Sequence, residues 1–576
     1  MNRPTPKRNY VGIACTWHDP AIAVVDSAGR IVFAEAAERH LQYKRAFASV
    51  ADDPVFVGRV LQKYIEPDAE IVVAKNWSAT SMWMARWGDS VRGVVQAILP
   101  LGRRPTALLD ITRFMLRGQL GTSSVASEPL RYKLRYPDSP LICNNRKLTL
   151  RHFDHHLTHA AAGCYTSPFS EAACAVVDAI GEYSSTGFYH FKDGKITPLR
   201  RSKSGLASLG SFYTLVCSAC GFDWIEGEEW KVMGMAPYGK FDEEIHARLS
   251  KMLHIEGLRI QPRGMLLDSF WDEDHLHHAA DLAHTGQIVF EESLEKLLTN
   301  LANLGISKNL VYMGGCALNS SANGHILSRT PFERLHVYSA PADDGTALGA
   351  ALLAYYQDHP SQPRDLVPYS PYLGSEMSAY VMGHLEKFNG HSPKFRDCSG
   401  DIVYEAAKLL ADGKIIGWVQ GRAEYGPRAL GNRSILANPC NANVKDIIND
   451  RVKFREEFRP FAPSILHEYG PEYFENYEES PYMERTLRFR DEVIDKVPGV
   501  VHVNQTGRLQ SVKRQWNDRY YRLIDEFRKL TGVPLVLNTS FNVMGKPIVN
   551  SVEDAVAVLY TTGLDALVIH DYLIEK

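Results

Sequence analysis

Two histidines four residues apart carry the strongest chemical signal in the sequence. In the run FDHHLTHAAAGCY, Asp154 is a natural N-cap and the alanine-rich stretch behind it favours helix. A helix there puts His155 and His159 on one face, the spacing that lets two imidazoles reach one metal ion. His156 points elsewhere. The same spacing also occurs as two partly exposed helix histidines, so carboxylates have to complete the argument. Asp178 closes the apolar run ACAVVD, and Asp343 opens PADDGTALGAA ahead of a helix. Two imidazoles with carboxylates suit a divalent transition metal such as iron, zinc or manganese.

Other strings have the residue types of an anion site. GRAEYGPRALGNRSILANP (421–439) places Arg422, Arg428 and Arg433 in a loop after a strand. KFREEFRPFAPS, TGRLQSV and LNTSFNVMGKPI follow, adding Arg459, Arg508, Asn538, Ser540 and Asn542. Arginines on loops beside amide and hydroxyl groups make a clamp for a phosphate or oxyanion. Arg428 and Arg459 sit next to proline-containing turns and are the better candidates. Arg451 and Arg455, beside Glu456 and Glu457, read instead as a salt-bridged helix face. MGGCALN ends a strand in Gly314 and Gly315 before Asn319, either a tight turn or a close approach to a flat or phosphorylated ligand. Lys231 in EGEEWKVMGMAPYG can meet a phosphate or be a surface lysine. Cys217 and Cys220 form an isolated CxxC and read as two small buried helix residues. The sequence has no Walker loop, GxGxxG fingerprint or GxSxG elbow.

The elements that must position these residues repeat. Tyr10–Cys15, Ala21–Asp26 and Ile31–Ala34 read as strands, with a turn at 27–30. Ala173–Asp178, Thr186–Phe191 and the stretch from Ile196 repeat that order. A duplicated strand–loop–hairpin unit, each loop at a strand's carboxyl end, can close two lobes around a nucleotide. Ala347–Tyr356 reads as a buried helix. Residues 75–147 hold 12 Lys plus Arg against 4 Asp plus Glu, with Trp77, Trp83 and Trp87. They read as a helical insertion with a solvated basic face, or as a pocket wall for an anionic or aromatic substrate. The Pro- and Ser-rich stretch from 358 reads as a strap, followed by a helix over 401–412 and a strand over 414–419.

The 576 residues suggest more than one domain. A hydrophobic share of 45% and a charged share of 23% are those of a globular chain, which excludes disorder, collagen and a disulfide scaffold. The net charge of −3 gives no global basic excess for nucleic acid or anionic membrane. No window approaches a membrane span, no signal-peptide core is visible, and nine scattered cysteines point to a reducing, cytoplasmic setting.

In combination, HHLTHAA, VVDAIGE, KVMGMAPYG, GGCALN, ADDGTALGAA, GRAEYGPRALGNRSILA, REEFRPFAPS and LNTSFN resemble the carbamoyltransferase family of nodulation-factor and antibiotic biosynthesis, the NodU and CmcH type that includes the tobramycin O-carbamoyltransferase. The strings occur in family order over nearly the whole chain. The resemblance implies an α/β protein: a duplicated actin-like ATP-binding domain (1–360, with the 75–147 insertion), a 361–395 linker, and a YrdC-like domain (396–576) that cleaves carbamoyl phosphate. It implies Fe(II) at His155, His159, Asp178 and Asp343, with zinc or manganese as alternatives. It also implies ATP as co-substrate, accompanied by magnesium, at Lys231, Gly314, Gly315 and Asn319. Lys44, Arg428, Arg459, Arg508, Asn538 and Ser540 would bind carbamoyl phosphate. His18, Arg428 and Ser540 would be catalytic, His18 on the side of a small hydroxylated acceptor. A monomer or homodimer without nucleic acid or membrane is expected. The chain departs from the family pattern at AERHLQYKRAFAS, where members carry a run like EERFSRxKH, and in the 75–147 insertion. Two other classes share features: an actin-like phosphotransferase shares the ATP lobes, and a threonylcarbamoyl-transfer protein acting on tRNA shares the metal motif.

Overall fold

The computed structural model describes residues 7–81, 148–203, 208–262, 279–377, 383 and 395–576, apart from positions 17, 48, 50 and 52. Trp83, Trp87 and most of the basic insertion, with much of the strap, lie outside the described residues. The chain forms two compact units. Met1–Leu41, Arg45–Asn319 and His325–Tyr369 make the first; Gln42–Lys44, Ser320–Gly324 and Ser370–Lys576 make the second. Residues 361–369 thus fold with the first unit and 370–377 with the second.

The first unit is built on two five-stranded sheets. In one, β1 (Arg8–Ala14), β2 (Ala21–Val25) and β3 (Ile31–Ala36) form an antiparallel meander, and β4 (Glu70–Lys75) and β5 (Leu148–His152) extend it parallel to β1. In the other, β6 (Glu171–Val177), β7 (Ser184–Lys192) and β8 (Lys195–Lys203) repeat the meander. After the hairpin β9 (Leu253–Glu256) and β10 (Arg259–Pro262), β11 (Asn309–Met313) and β12 (Arg334–His336) extend it in parallel. The orders β3-β2-β1-β4-β5 and β12-β11-β6-β7-β8 are one topology read in opposite directions. This is the duplicated strand–loop–hairpin unit that the sequence repeat predicts. β1, β2 and β6 are buried nearly end to end, as strands covered on both faces must be.

Two helices carry the site of this unit, His155–Thr166 and Gly345–Asp358. They touch backbone to backbone: a Cβ at Gly349 would lie 1.8 Å from the Thr158 carbonyl oxygen. The small residues that read as helix formers are therefore what brings His155 and His159 up to the residues preceding Gly345.

The second unit holds one nine-stranded mixed sheet. Its strands are β13 (Phe395–Asp397), β14 (Ile416–Val419), β15 (Arg433–Ala437), β16 (Ala462–Leu466), β17 (Arg485–Arg488), β18 (Thr506–Val512), β19 (Leu535–Ser540), β20 (Ala566–Ile569) and β21 (Tyr572–Glu575). The order is β13-β21-β20-β14-β15-β19-β16-β18-β17. β19 runs antiparallel between β15 and β16, with Ser540 opposite Ser434 and Asn538 opposite Ala462. Helices Ile402–Ala411 and Asp518–Thr531 bury their apolar faces in the core around Trp418, Leu436, Ile465 and Leu537. Asn517 caps the second helix and Gly532 ends it in the left-handed region.

Candidate active site

Asp154 caps the helix as its composition predicts, its side chain accepting from the Leu157 N–H at 3.0 Å. His155 and His159 then face the ends of β6 and of the loop before Gly345. His155, His159, Asp178 and Asp343 bring one ligand atom each within 4.8 Å of one another. His159 Nε2 lies 3.3 Å from both Asp178 Oδ2 and Asp343 Oδ1; His155 Nε2 lies 3.4 Å from Asp343 Oδ1 and 3.7 Å from Asp178 Oδ2. His156 turns away to Ser184 Oγ at 2.9 Å. Asp344 caps its own helix at the Gly345 N–H, which leaves Asp343 to the cluster.

The surroundings fit a metal. His159 Nδ1 is 3.1 Å from the Pro341 carbonyl, so it donates there and turns the Nε2 lone pair inward. His159 Nε2 and Asp178 Oδ2 are buried yet make no hydrogen bond of proper geometry among the described residues. Asp178 Oδ1 is fixed by the N–H groups of Ala179 (2.8 Å) and Gly315 (3.3 Å). Trp77 stacks on His155, ring centroids 4.9 Å apart. Two neutral imidazoles and two carboxylates are a donor set for Fe(II), Zn²⁺ or Mn²⁺.

Electrostatics sharpen the point. Burial opposes charge on both imidazoles, but the two carboxylates outweigh it, raising His155 to about 10 and His159 in the same direction. The imidazoles in turn hold Asp178 and Asp343 below the usual carboxylate range despite burial. In metal-free protein His155 therefore carries a proton that an incoming metal must displace. Its contribution to stability is fully present below about pH 6.5 and is lost as pH rises through about 10. Apparent affinity for Zn²⁺ in chelator-treated protein should accordingly rise at least about tenfold per pH unit between roughly pH 6.5 and 9, and more steeply wherever His159 also gives up a proton. Competition titrations at three pH values check this; a flat affinity would exclude proton displacement at the cluster.

His18 borders this cluster. Its Nδ1 is 2.9 Å from Asp19 Oδ2 and 3.8 Å from Asp343 Oδ2. Burial opposes charge on Asp19, but Arg45 and His18 keep its carboxylate below the usual range. Lys44, the basic residue singled out by the sequence, is half-buried on a 3-10 turn, but it is the next residue, Arg45, that reaches Asp19.

The nucleotide candidates are separately accounted for. Gly314 has φ +94°, and a Cβ there would lie 2.3 Å from the Val177 carbonyl oxygen. The Gly314–Gly315 turn thus lets β11 close on β6 and aims an N–H at Asp178. Asn319 pairs its carboxamide with that of Gln287, at 3.0 and 3.1 Å. Lys231 is buried, with Nζ 2.5 Å from Glu228 Oε1, rather than a surface lysine. Cys217 and Cys220 are buried and free, at the end of helix Leu209–Ala219.

In the second unit the loop before β15 is tied down from several sides. Glu424 Oε1 accepts from the N–H groups of Leu430, Asn432 and Arg433 at 2.7–3.1 Å. Asn538 and Gln510 donate to the Ala429 and Leu430 carbonyls at 3.2 and 2.9 Å. Arg433 does not stay in the loop: it begins β15, fully buried, and its guanidinium holds the carbonyls of Ser375, Gln420, Gly421 and Asn432. Arg422 likewise holds Leu373 and Gly374. These two are structural clamps.

Arg428, Arg459 and Arg508 are joined by two cations that the sequence did not mark. Lys453 ends a π-helical turn and donates to Asn542 Oδ1 at 2.7 Å, its main-chain oxygen at 3.0 Å and Ser540 Oγ at 3.3 Å. Arg455 is not on a salt-bridged helix face: left-handed Phe454 turns it inward, onto the ring of Phe461 and Asn449 Oδ1. Glu456 pairs with Arg459 at 2.7 Å. Burial and mutual repulsion push these cations down together: Lys453 and Arg428 well below their ordinary values, Arg455 to about 9, and Arg508, by burial, to about 10. Positive charge is buried here in excess and Arg508 Nε donates to no group among the described residues, an arrangement whose charge an anion can neutralise; Asn538 Oδ1, also without a hydrogen bond among the described residues, is an acceptor open to a donor.

Among the described residues no helix is long and apolar enough to cross a membrane. Comparison with known proteins places the chain. Family models described as carbamoyltransferase N-terminus and C-terminus match residues 115–352 and 407–576. The nodulation protein NolNO of Sinorhizobium fredii is 37% identical over 447 residues, covering 73% of this chain and 63% of that protein; the chain spans less than two thirds of its length. The nodulation protein NolO of Bradyrhizobium diazoefficiens is 36% identical, over 73% of this chain and 79% of its own. Among solved structures, full-length HypF in its phosphate- and nucleotide-bound form aligns with 62% of this chain and 56% of its own at 13% identity, with a TM-score of 0.37. With both family models matched, and more than three quarters of NolO covered at 36% identity, the chain belongs to the carbamoyltransferase family.

Proposed function

We propose that this chain is an ATP-dependent O-carbamoyltransferase. Carbamoyl phosphate and water give carbamate and phosphate; carbamate and ATP give carbamoyl adenylate and pyrophosphate; a small acceptor's hydroxyl then takes the carbamoyl group and releases AMP. The observation that carries the reading is that one chain holds a His₂Asp₂ cluster in one unit and an unbalanced buried cation cluster in the other. A phosphotransferase has no use for the second cluster.

In this reading Arg428, Arg455, Arg459, Arg508 and Lys453 bind the phosphate and stabilise charge as it develops on it. Asn538 and Ser540 orient the carbamoyl end. In the other unit, His155, His159, Asp178 and Asp343 would hold a divalent metal, which when bound supplies positive charge toward phosphate oxygens. The turn at Gly314 and Gly315, with Asn319 and Lys231, belongs to the nucleotide side. Asp19 accepts the proton on His18 Nδ1, which leaves Nε2 as the base for an acceptor hydroxyl.

The test incubates the purified protein with carbamoyl phosphate, ATP and a panel of hydroxylated metabolites. Phosphate, pyrophosphate, AMP and carbamoylated product are measured together. Acceptor-dependent AMP supports the reading, and ADP in its place would support the phosphotransferase. His18→Asn should still release pyrophosphate but transfer about 10²–10⁴-fold more slowly, the worth of a positioned base. If it stopped pyrophosphate release as well, His18 would belong to the nucleotide side.

A further inference from the structure

We propose that Arg45 is a positioning residue that holds Asp19, and through it His18, in the orientation needed for proton transfer. The inference rests on the reading of His18 as the acceptor base.

Arg45 is held in the left-handed region, φ 56°, ψ −1°, where a non-glycine residue is strained. Asp19 has φ 56° as well. The two strained residues grip each other twice. The Asp19 N–H donates to the Arg45 carbonyl at 2.7 Å, and Arg45 Nε donates to Asp19 Oδ2 at 3.3 Å. That same Oδ2 lies 2.9 Å from His18 Nδ1, so one carboxylate oxygen faces both the guanidinium and the imidazole.

The rest of the arginine is clamped. Its N–H donates to Glu38 Oε2 at 2.8 Å. Its Nη1 reaches the Ile225 and Trp224 carbonyls at 3.4 and 3.5 Å. Its stem packs over Gly227, where a Cβ would lie 2.7 Å from Arg45 Cδ. His18 is a third exposed, so the imidazole is open to reagents while its carboxylate partner is braced from behind. Among the described residues Arg45 is the group besides His18 whose side chain meets the Asp19 carboxylate, so its loss frees that carboxylate to turn away from the imidazole whose tautomer it sets. Lysine cannot replace the planar fork, which meets a carboxylate and two carbonyls together.

His18 reactivity reads this directly. The full-length protein as purified is treated with diethyl pyrocarbonate, and carbethoxylation of the His18 peptide is followed by mass spectrometry. The variants are Asp19→Asn, Arg45→Gly, Arg45→Lys and the Asp19→Asn/Arg45→Gly double. Glycine tolerates φ 56° without strain, so Arg45→Gly deletes the side chain and spares the backbone. A thermal unfolding midpoint confirms folding, and Arg45→Lys serves if glycine loosens the turn. We expect Asp19→Asn and Arg45→Gly each to slow His18 modification roughly five- to tenfold, and Arg45→Lys by less. The double variant should be no slower than the slower single, because both act through one contact. Wild-type reactivity in Arg45→Gly would overturn the proposal, and so would a double variant slowed by the product of the singles. The assay uses neither carbamoyl phosphate nor ATP. Failure of the carbamoyl-transfer reading would appear as absent AMP in the panel assay, whatever His18 reports here.

Discussion

Arg428→Ala is expected to suppress phosphate release from carbamoyl phosphate by roughly 10²–10³-fold, and with it every later step. The loss of one charge-assisted donor to a phosphate-sized anion costs about 1.5–3 kcal/mol in binding, and more where the donor meets charge developing in the transition state. The same substitution should not weaken the folded protein. Burial and Arg508 already disfavour charge at Arg428, so its removal relieves repulsion inside a cluster of Lys453, Arg455, Arg459 and Arg508. An unchanged or raised melting temperature with lost phosphate release is the pattern of a residue kept for its ligand. A melting temperature lowered in step with activity would mark Arg428 as structural, as Arg433 is. Arg428→Lys should also be impaired, since a single ammonium cannot make the parallel contacts of a guanidinium.

His159→Ala should empty the other site. His159 is fully buried, sits 3.3 Å from both carboxylates and spends its second nitrogen on the Pro341 carbonyl. Its loss removes a metal donor and leaves Asp178 and Asp343 facing each other with one imidazole between them. Elemental analysis should find the metal content of the variant reduced to background. Pyrophosphate release and product should disappear, while phosphate release from carbamoyl phosphate stays near the wild-type rate. Wild-type metal content in His159→Ala would remove this residue from the ligand set.

The convergence of His155, His159, Asp178 and Asp343 was legible because it depends on periods that a sequence displays. His155 and His159 share a helical face, Asp178 terminates a run of buried β residues, and Asp343 precedes a helix whose own cap is Asp344. The duplicated meander was legible for the same reason. What stayed hidden depends on single backbone torsions. Lys44 and Arg45 are adjacent basic residues, and only the left-handed conformation at 45 decides which of them meets Asp19. Lys453 and Arg455 flank Phe454 and precede two glutamates, a composition that reads as a solvated face. The π-helical turn and left-handed Phe454 rotate both cations inward. Arg433 was read as a loop arginine because its four partners are main-chain carbonyls, which no side-chain pattern announces. The pairing of Asn319 with Gln287 bridges two distant segments and has no local signal either.

The central claim is that one chain performs two chemistries at two sites. The most direct measurement follows phosphate and pyrophosphate in parallel, in the wild type, Arg428→Ala and His159→Ala, with carbamoyl phosphate and ATP supplied. The account predicts that the wild type releases both, that Arg428→Ala releases neither, and that His159→Ala releases phosphate alone. Loss of phosphate release in His159→Ala as complete as in Arg428→Ala would contradict it and place the chemistry in one shared site.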